Sequence, residues 1–273
     1  MLKMRRIKLI LEYDGGAFHG WQSQKNAANL QDLLDEKLAV ILKDKPKVMG
    51  AGRTDAGVHA KGQVAAFSTT SDKACEQILK GLNGLLPQTV RVRRCEEMPE
   101  VFDPRRDAVA KTYRYTYFDG PAHSPFWKRW SWFSRQPLDD KAMARAAKHL
   151  EGEHDFSSFR AAACAAKTPI RTIHKAEIRR KGERITFEIR GTAFLQQMVR
   201  IIAGTLYDVG IGDRTPESIV ALLAAKDRKK AGKTAPPEGL VMWEVEYGAI
   251  PRPGRMVKGK RVPDDETAET EIE

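Results

Sequence analysis

The spacing of apolar residues along the chain predicts a mixed set of strands and helices. Near the start, Ile7, Leu9 and Leu11 alternate with mostly polar neighbours up to the Asp-Gly-Gly turn at 14–16, which indicates a strand. Apolar residues then recur at helical spacing after Asn29, a favoured residue for a helix N-cap. Similar patterns predict strands over 63–67, 90–94, 111–117, 172–178, 183–190 and 241–247, and helices over 30–41, 73–83, 139–150, 194–207 and from 215.

Strands and helices joined by short connections indicate the α/β class. A stretch rich in Pro, Trp and Phe at 119–137 indicates a boundary between two halves, and its aromatic content favours a packed segment. The predicted domains are an N-terminal half, 1–120, a C-terminal half, 121–250, and a charged tail, 251–273. The tail is poor in core residues, so it is expected to be largely disordered.

The composition fits a globular protein with a polyanionic partner. With 273 residues and 41% hydrophobic content, the chain can bury one large core or two modest ones. Its formal net charge of +11 favours nucleic acid, because basic side chains can replace the counterions of phosphates. Many soluble proteins are basic for other reasons, so charge alone does not identify the partner.

The cysteines and the first residues bear on localisation. Cys75, Cys95 and Cys164 are odd in number and scattered, which argues against a disulfide framework and a zinc site and favours a reducing compartment. The sequence begins without the apolar core of a signal peptide, and no stretch approaches the roughly 18 apolar residues of a membrane span. A cytoplasmic protein without membrane association is expected.

The most distinctive stretch is the glycine-containing segment 51–60, which carries Arg53 and Asp55. Its glycines permit tight turns and close approach of a ligand, so the segment is predicted to be a loop. A carboxylate two residues after an arginine on such a loop is well placed to face a cleft. Asp and Thr beside Gly are also common turn residues, so structural and catalytic roles for Asp55 remain equally open at this point.

The helix predicted at 194–207 carries a single ionisable side chain before Tyr207, which is Arg200. Apolar residues occupy most of its surface, so much of the helix is expected to be buried. A buried arginine requires an anionic partner, because removing one member of a buried ion pair costs roughly 3–5 kcal/mol. Asp55 is the obvious candidate. The alternative is that Arg200 extends along the helix to reach solvent.

Tyrosines at 113, 115 and 117 share one face of the strand predicted at 111–117, and Thr and Arg residues share the other. Aromatic rings beside a basic face suit stacking on extruded bases, at roughly 1–3 kcal/mol per base. A tyrosine-lined core is the alternative, and at least one of the three rings is expected to be simply buried.

Other kinds of active site are not indicated by the sequence. It has no glycine-rich phosphate loop, Cys/His metal spacing or Ser-His-Asp order, so no metal and no cofactor are predicted. A carboxylate, an arginine and aromatic rings on a basic protein suit chemistry on an unstacked nucleobase. Two hypotheses remain, an RNA-modifying enzyme and an RNA-binding module in which Asp55 and Arg200 form a structural ion pair. A glycosidase is disfavoured because no second carboxylate accompanies the loop.

A family resemblance favours the first hypothesis. The segment 52–60, Gly-Arg-Thr-Asp-Ala-Gly-Val-His-Ala, resembles the catalytic motif of the TruA family of tRNA pseudouridine synthases. The resemblance covers about residues 5–250. Other segments similar to the family are Tyr-Asp-Gly at 13–15, Gly-Trp-Gln at 20–22, Asp-Phe-Ser-Ser-Phe-Arg at 155–160 and Phe-Leu-x-x-Met-Val-Arg at 194–200.

This resemblance implies a fold and a reaction. The fold would be the pseudouridine synthase fold, in which two similar halves, with antiparallel sheets flanked by helices, surround a central cleft. The reaction would convert uridine to pseudouridine at positions 38, 39 and 40 of the tRNA anticodon stem-loop, without a cofactor and in a homodimer. Whether the aspartate attacks C1′ or removes the 2′ proton is left open.

The resemblance also assigns roles to individual residues. Asp55 matches the catalytic aspartate, Arg200 the arginine that pairs with it, and Tyr113, in its Lys-x-Tyr-x-Tyr run, the ring that packs on the target base. Arg53 is interpreted as a wedge or phosphate ligand for the flipped-out nucleotide. Further RNA-binding residues are predicted in two segments, one of Phe102, Asp103, Pro104, Arg105 and Arg106, the other of Arg160, Ala161, Ala162, Ala163 and Cys164.

Overall fold

The computed structural model describes residues 3–24, 27–248, 256–257 and 260–261, and this part of the chain contains twelve strands and five α-helices. The strands are β1 (Arg5–Tyr13), β2 (Met49–Gly50), β3 (His59–Thr69), β4 (Val90–Met98), β5 (Ala108–Phe118), β6 (Trp132–Phe133), β7 (Gly152–Asp155), β8 (Ile170–Lys181), β9 (Arg184–Gly191), β10 (Leu240–Tyr247), β11 (Met256–Val257) and β12 (Lys260–Arg261). The helices are α1 (Leu30–Leu42), α2 (Cys75–Leu85), α3 (Asp140–Lys148), α4 (Met198–Gly210) and α5 (Ser218–Ala225).

One mixed sheet organises the described chain. Its strand order is β4-β1-β3-β10-β5-β9-β8-β7, with β2 beside β3 and β6 beside β5. Neighbouring strands are antiparallel except that β10 runs parallel to β3 and β6 runs parallel to β5. The predicted α/β class, with antiparallel strands flanked by helices, is confirmed. The structure adds that β10, from the predicted C-terminal half, lies between β3 and β5 of the predicted N-terminal half, so the strands form one continuous sheet.

The helices form where the sequence supplies caps and apolar faces. At the start of α1, the Asn29 side chain accepts the Asp32 N–H at 2.8 Å, and the helix ends at Lys43, whose φ of 52° is left-handed. The Asp139 side chain caps α3 in the same way, at 2.9 Å from the Ala142 nitrogen. Helix α2 packs on α1 and β4, and α3 packs on β8 and α4.

The core confirms the alternation read from the sequence. Ile7, Leu9 and Leu11 on β1 are fully buried, as expected for the inward face of a strand. Tyr115 and Tyr117 on β5 are also fully buried, so at least one of the three tyrosines is a core residue, as predicted.

Three local predictions differ from the structure. Helix α4 begins at Met198, after a left-handed Gln197, so Phe194 lies before the helix and not in it. Helix α5 begins at Ser218, since residues 216–217 form a turn. Within the linker expected to be packed, Phe126 lies on a turn and is 86% exposed.

The domain boundary stays a prediction. Strand β5, which ends the predicted N-terminal half, pairs with β9 and β10 of the other half. The disorder predicted for residues 251–273 stays a prediction, because most of these residues lie outside the described part of the chain. The described residues of this tail are β11 and β12, which pair with each other.

No helix of the described residues is long and apolar enough to cross a membrane. All three cysteines are free thiols.

Candidate active site

Asp55 lies on the loop that connects β2 to β3, and backbone and side-chain bonds hold this loop closely. The Thr54 carbonyl accepts the Trp21 N–H at 3.1 Å, and the buried hydroxyls of Thr54 and Tyr13 are 2.9 Å apart. Gly57 has a left-handed φ of 78°, which glycine adopts without strain. The Asp55 side chain itself remains 27% exposed, so a held carboxylate faces solvent.

Arg200 on α4 forms the predicted ion pair with Asp55. Its Nη1 donates to Asp55 Oδ2 at 3.0 Å, and its Nε donates to the Ala235 carbonyl at 2.8 Å. The Arg200 side chain is 13% exposed, so it does not extend to solvent as in the alternative arrangement. With two of its donors engaged, the guanidinium holds the carboxylate at a fixed orientation.

The loop that supplies the Ala235 carbonyl reaches α4 because of a glycine. A Cβ built on Gly204 would lie 1.7 Å from the Lys233 carbonyl oxygen, so only glycine permits this approach. The Ala235 N–H in turn donates to the Arg200 carbonyl at 3.0 Å. The side chain and the backbone of Arg200 are thus both hydrogen-bonded to Ala235.

Tyr113 differs from the two other tyrosines of β5 in its hydroxyl. The hydroxyls of Tyr115 and Tyr117 donate to the carbonyls of Pro236 and Ala203. Among the described residues, none hydrogen-bonds the Tyr113 hydroxyl. Burial raises the pKa of Tyr113, with smaller contributions from Tyr13 and the Asp55 charge, so the group stays protonated. It is therefore a free donor near the carboxylate.

Phe194 positions the Tyr113 ring from the side. The two rings meet edge to face, with centroids 5.0 Å apart, and Tyr113 is 8% exposed. The segment before α4, which the sequence pattern assigned to the helix, thus contributes a ring to the site.

Lys111 is a site residue for which the sequence analysis gave no role. Its Nζ donates to the Ala51 carbonyl at 2.6 Å, directly before the segment that carries Asp55. Burial lowers the pKa of Lys111 to about 8, and the charge of Arg105 acts in the same direction. The signal was present in the strand pattern, since Lys111 shares the face of Tyr113 at a spacing of two residues.

Gln63 is the second such residue. Its Nε2 donates to the Gly52 carbonyl at 2.7 Å from the adjacent strand β3. A buried glutamine in an alternating strand carries no sequence signal that distinguishes it from an exposed one, so it could not have been found.

Arg53 is exposed, and it has no hydrogen bond or ion pair within the described part of the chain. Its guanidinium is therefore free to contact a ligand beside Asp55.

The segment 102–106 divides into buried and exposed residues. Phe102 is 1% exposed and packs edge-on against Tyr247, and Pro104 is also buried, so these two support the segment from the core. The Asp103 side chain accepts the backbone N–H groups of Arg105 and Arg106 at 2.8 and 2.9 Å. Only the two arginines present exposed side chains that suit RNA.

The segment 160–164 lies beside the entry to α4, where the Ala161 N–H donates to the Gln196 carbonyl at 3.1 Å. Arg160 and Ala161 line a cavity of about 280 Å³ together with Lys226 and Arg228. The structure thus brings two cations, distant in sequence, beside the predicted RNA-binding residue Arg160. Lys226 Nζ is 3.3 Å from Asp155 Oδ2, and Asp227 also lines the cavity. Within this segment Ala162 and Ala163 are exposed and Cys164 is half-buried.

No group of three or more His, Cys, Asp or Glu side chains among the described residues is placed to hold a metal ion.

Comparisons with known proteins match most of the chain. Residues 146–248 match the family model described as tRNA pseudouridine synthase. A tRNA pseudouridine synthase A of Geotalea uraniireducens is 46% identical over 244 residues, which are 89% of this chain and 100% of the relative. Proteins of the same name from Geobacter sulfurreducens and Myxococcus xanthus are each 46% identical over 89% of this chain, and over 100% and 92% of their own lengths.

Sequence identity of 46% extends over the full length of two of these relatives, so the similarity is not limited to the motif at 52–60. The mixed sheet and the ion-paired aspartate accordingly belong to a pseudouridine synthase, so the protein is an enzyme. Within that class, the chain belongs to the tRNA pseudouridine synthase A family, the TruA family that the segment 52–60 resembles.

Proposed function

We propose that this enzyme converts uridine to pseudouridine at positions 38, 39 and 40 of the tRNA anticodon stem-loop, with Asp55 as nucleophile and without a cofactor. The observation that carries the proposal is the 3.0 Å contact between Asp55 and Arg200, which fixes a partly exposed carboxylate on a rigid loop. The family relatives are named for tRNA, and the net charge of +11 suits that substrate.

The proposed reaction starts with attack of an Asp55 oxygen on C1′ of the target uridine. The bond between C1′ and N1 breaks, and its electron pair leaves with the uracil. After the ring rotates, C5 bonds to C1′ and displaces Asp55. The C5 proton is then lost and N1 gains a proton, so the product is an isomer of the substrate and the carboxylate is restored.

The neighbours of Asp55 are proposed to support these steps. Arg200 orients the carboxylate, and its positive charge stabilises the anionic form that attacks. Tyr113 packs on the uracil, and its free hydroxyl can donate to the displaced ring. Arg53 stabilises the flipped-out nucleotide from the exposed side of the loop.

We propose that Arg105, Arg106 and Arg160 contact tRNA phosphates. All three are basic residues of segments near the site, and Lys226 and Arg228 extend the surface at Arg160. Two further parts belong to this proposal: a homodimer, which rests on the family resemblance, and a cytoplasmic location, which rests on the scattered cysteines and the lack of a signal-peptide pattern.

The decisive experiment measures tritium release from a tRNA transcript labelled at C5 of uridine. Joining at C5 must expel that hydrogen, so the wild type should release tritium and Asp55→Asn should release none. The exchange is nearly isosteric, so tRNA affinity should stay within a few fold. As a matched control, Asp72→Asn changes an exposed carboxylate outside the site and should react like the wild type.

Transcripts that retain uridine at only one of the three positions test the proposed specificity. We expect tritium release from each of these transcripts. A transcript with cytidine at all three positions should release none. No release by the wild type from several tRNAs, with tight binding retained, would contradict the proposed reaction on these substrates. A primary isotope effect from deuterium at C2′ would show that Asp55 removes the 2′ proton instead of attacking C1′.

A further inference from the structure

The predicted linker contains an exposed aromatic and basic segment beside the loop at 51–58, which carries Asp55 and which we call the catalytic loop on the proposed function. Phe126 is 86% exposed and Trp130 is 37% exposed, and Lys128 and Arg129 between them are exposed cations. A single exposed apolar side chain is common on soluble proteins, whereas an exposed ring together with exposed cations is typical of surfaces that bind unpaired nucleotides. None of the functions assigned above uses these four residues, which we call the 126–130 rim.

The 126–130 rim is anchored, although its outer side chains are exposed. Arg129 Nη2 is 2.6 Å from Asp14 Oδ2, which ties the rim to the turn after β1. The Trp130 ring lies against the buried His59 ring, with centroids 4.4 Å apart, and His59 follows the catalytic loop at the start of β3. The rim is therefore attached to the same loop that carries Asp55.

A cavity of about 530 Å³ opens beside the 126–130 rim. Its lining includes Gly16, Gly57, His59, Lys128, Pro237 and Glu238, together with the Asp14–Arg129 ion pair. Small-molecule and nucleotide sites commonly occupy roughly 300–1,000 Å³. One wall of this cavity, at Gly57, is the backbone two residues after Asp55. A ligand held here would thus lie beside the catalytic loop.

The paired and unpaired charges around the 126–130 rim indicate which kind of partner it binds. Within the described residues Lys128 has no ion pair, and Arg129 neutralises Asp14, so Glu238 is the one carboxylate of the lining left unpaired. Lys128 lies two residues along the chain from the exposed ring of Phe126. An unpaired cation and an exposed ring on one segment suit an unpaired nucleotide, because the ring can stack on a base while the cation contacts a phosphate.

We propose that the 126–130 rim binds an unpaired nucleotide of the substrate RNA other than the target uridine, which stacks on Phe126 outside the cavity while Lys128, which lines the cavity, contacts its phosphate. The proposal rests on the proposed function for the identity of the RNA. Since the anticodon stem-loop contains unpaired nucleotides next to the target positions, a second contact there would orient the target over Asp55.

The test measures the dissociation constant of a labelled tRNA transcript by fluorescence anisotropy. Phe126→Ala should weaken binding roughly 5- to 100-fold, as expected for loss of one stacked base. Phe126→Tyr keeps the ring and should restore most of the affinity. Val220→Ala, which truncates a residue 52% exposed on α5, is the matched control and should bind like the wild type. Phe126 is exposed, so its removal should leave the fold intact.

Lys128→Gln tests the phosphate contact independently. The slope of log affinity against log salt concentration should fall by about 1 relative to wild type. Lys141→Gln removes an exposed lysine of α3 and should leave the slope unchanged. Transcripts with an abasic site at each unpaired position then locate the nucleotide, since one abasic site should weaken wild-type binding and have no additional effect on Phe126→Ala.

Unchanged affinity of Phe126→Ala, or additive losses at every abasic site, would overturn the proposal. A change in oligomeric state of Phe126→Ala without RNA would instead assign the surface to a protein interface and overturn it too. Tritium release by the wild type separates the two proposals. If the wild type binds and modifies tRNA and Phe126→Ala binds equally well, the proposed function is supported and the nucleotide site at the 126–130 rim is contradicted. If the wild type binds no tRNA, both proposals are contradicted.

Discussion

Two loops of this enzyme show opposite ways of presenting charged side chains. The catalytic loop at 51–58 is bonded by Tyr13, Trp21, Gln63 and Lys111, and its carboxylate is paired with an arginine. The basic loop at 160–164 has one backbone bond to the segment before α4, and Arg160 has no ion pair among the described residues.

On the proposed function, the difference follows from the role of each loop. Attack on a single carbon requires a carboxylate held within a fraction of an ångström, so its neighbours must be rigid. A phosphate contact tolerates several positions of a flexible side chain, because the attraction depends weakly on geometry at the surface. Changes in the catalytic loop should therefore alter rate and stability, whereas changes in the basic loop should alter only affinity.

The largest effect is expected from Arg200→Gln, which removes the ion pair and the bond to Ala235. Single-turnover tritium release should slow at least about 100-fold, because the carboxylate loses its orientation. The free energy of unfolding should fall by about 2 kcal/mol, less than for a fully buried pair since Asp55 is partly exposed. Arg200→Lys keeps the positive charge but loses the planar guanidinium group, so its rate and its stability should lie between those of the wild type and Arg200→Gln. Tritium release measures the rate, and urea unfolding measures the free energy of unfolding. Equal rates for all three proteins would contradict the held-carboxylate interpretation.

The next effect concerns the pH dependence of stability through Lys111. Its pKa falls from 10.5 in the unfolded chain to about 8 in the folded protein, because burial disfavours the charge. Between pH 8 and 10.5 the unfolded chain binds the extra proton, so this group makes stability rise with pH, by up to roughly 3 kcal/mol. Lys111→Met should lack this rise. Urea unfolding across that range, compared between the two proteins, gives the contribution, and identical pH profiles would refute it.

A smaller effect is expected from Gly57→Ala. The left-handed φ of 78° disfavours alanine, and its Cβ would lie 2.9 Å from Pro237 Cγ, so stability should fall by about 1–2 kcal/mol. Tritium release should slow as well, since the turn after Asp55 must shift. Gly84→Ala, in helix α2 with open space around it, should instead stabilise the protein by about 0.5–1 kcal/mol. Thermal unfolding of both variants provides the comparison.

The smallest effect on stability is expected in the basic loop. Arg160→Gln should change the free energy of unfolding by less than about 0.5 kcal/mol, because the side chain has no ion pair to lose. Affinity for a tRNA transcript should fall a few fold, and the salt slope should fall by about 1. The rate at saturating RNA should stay unchanged. A lower saturating rate would show that this loop also positions the reacting groups.

The sequence by itself determined the main secondary-structure elements and the family of this protein. Alternation and helical spacing located the long strands and the helices to within a few residues, because these patterns depend on local geometry, but they did not indicate the short strands β2, β6 and β7. The pairing of Asp55 with Arg200 followed from the cost of burying an unpaired arginine in an apolar helix. The family followed from the nine residues of segment 52–60.

Only the tertiary structure decided how these parts meet. Strand β10 comes from the end of the described sheet sequence, yet it lies between β3 and β5, with Met242 opposite Ala60 on one side and Tyr113 on the other. Backbone hydrogen bonds between strands carry no side-chain code, so a pattern of alternation cannot specify such a distant pairing. The burial of Lys111 and the exposure of Phe126 have the same origin, because both depend on which distant segments cover them.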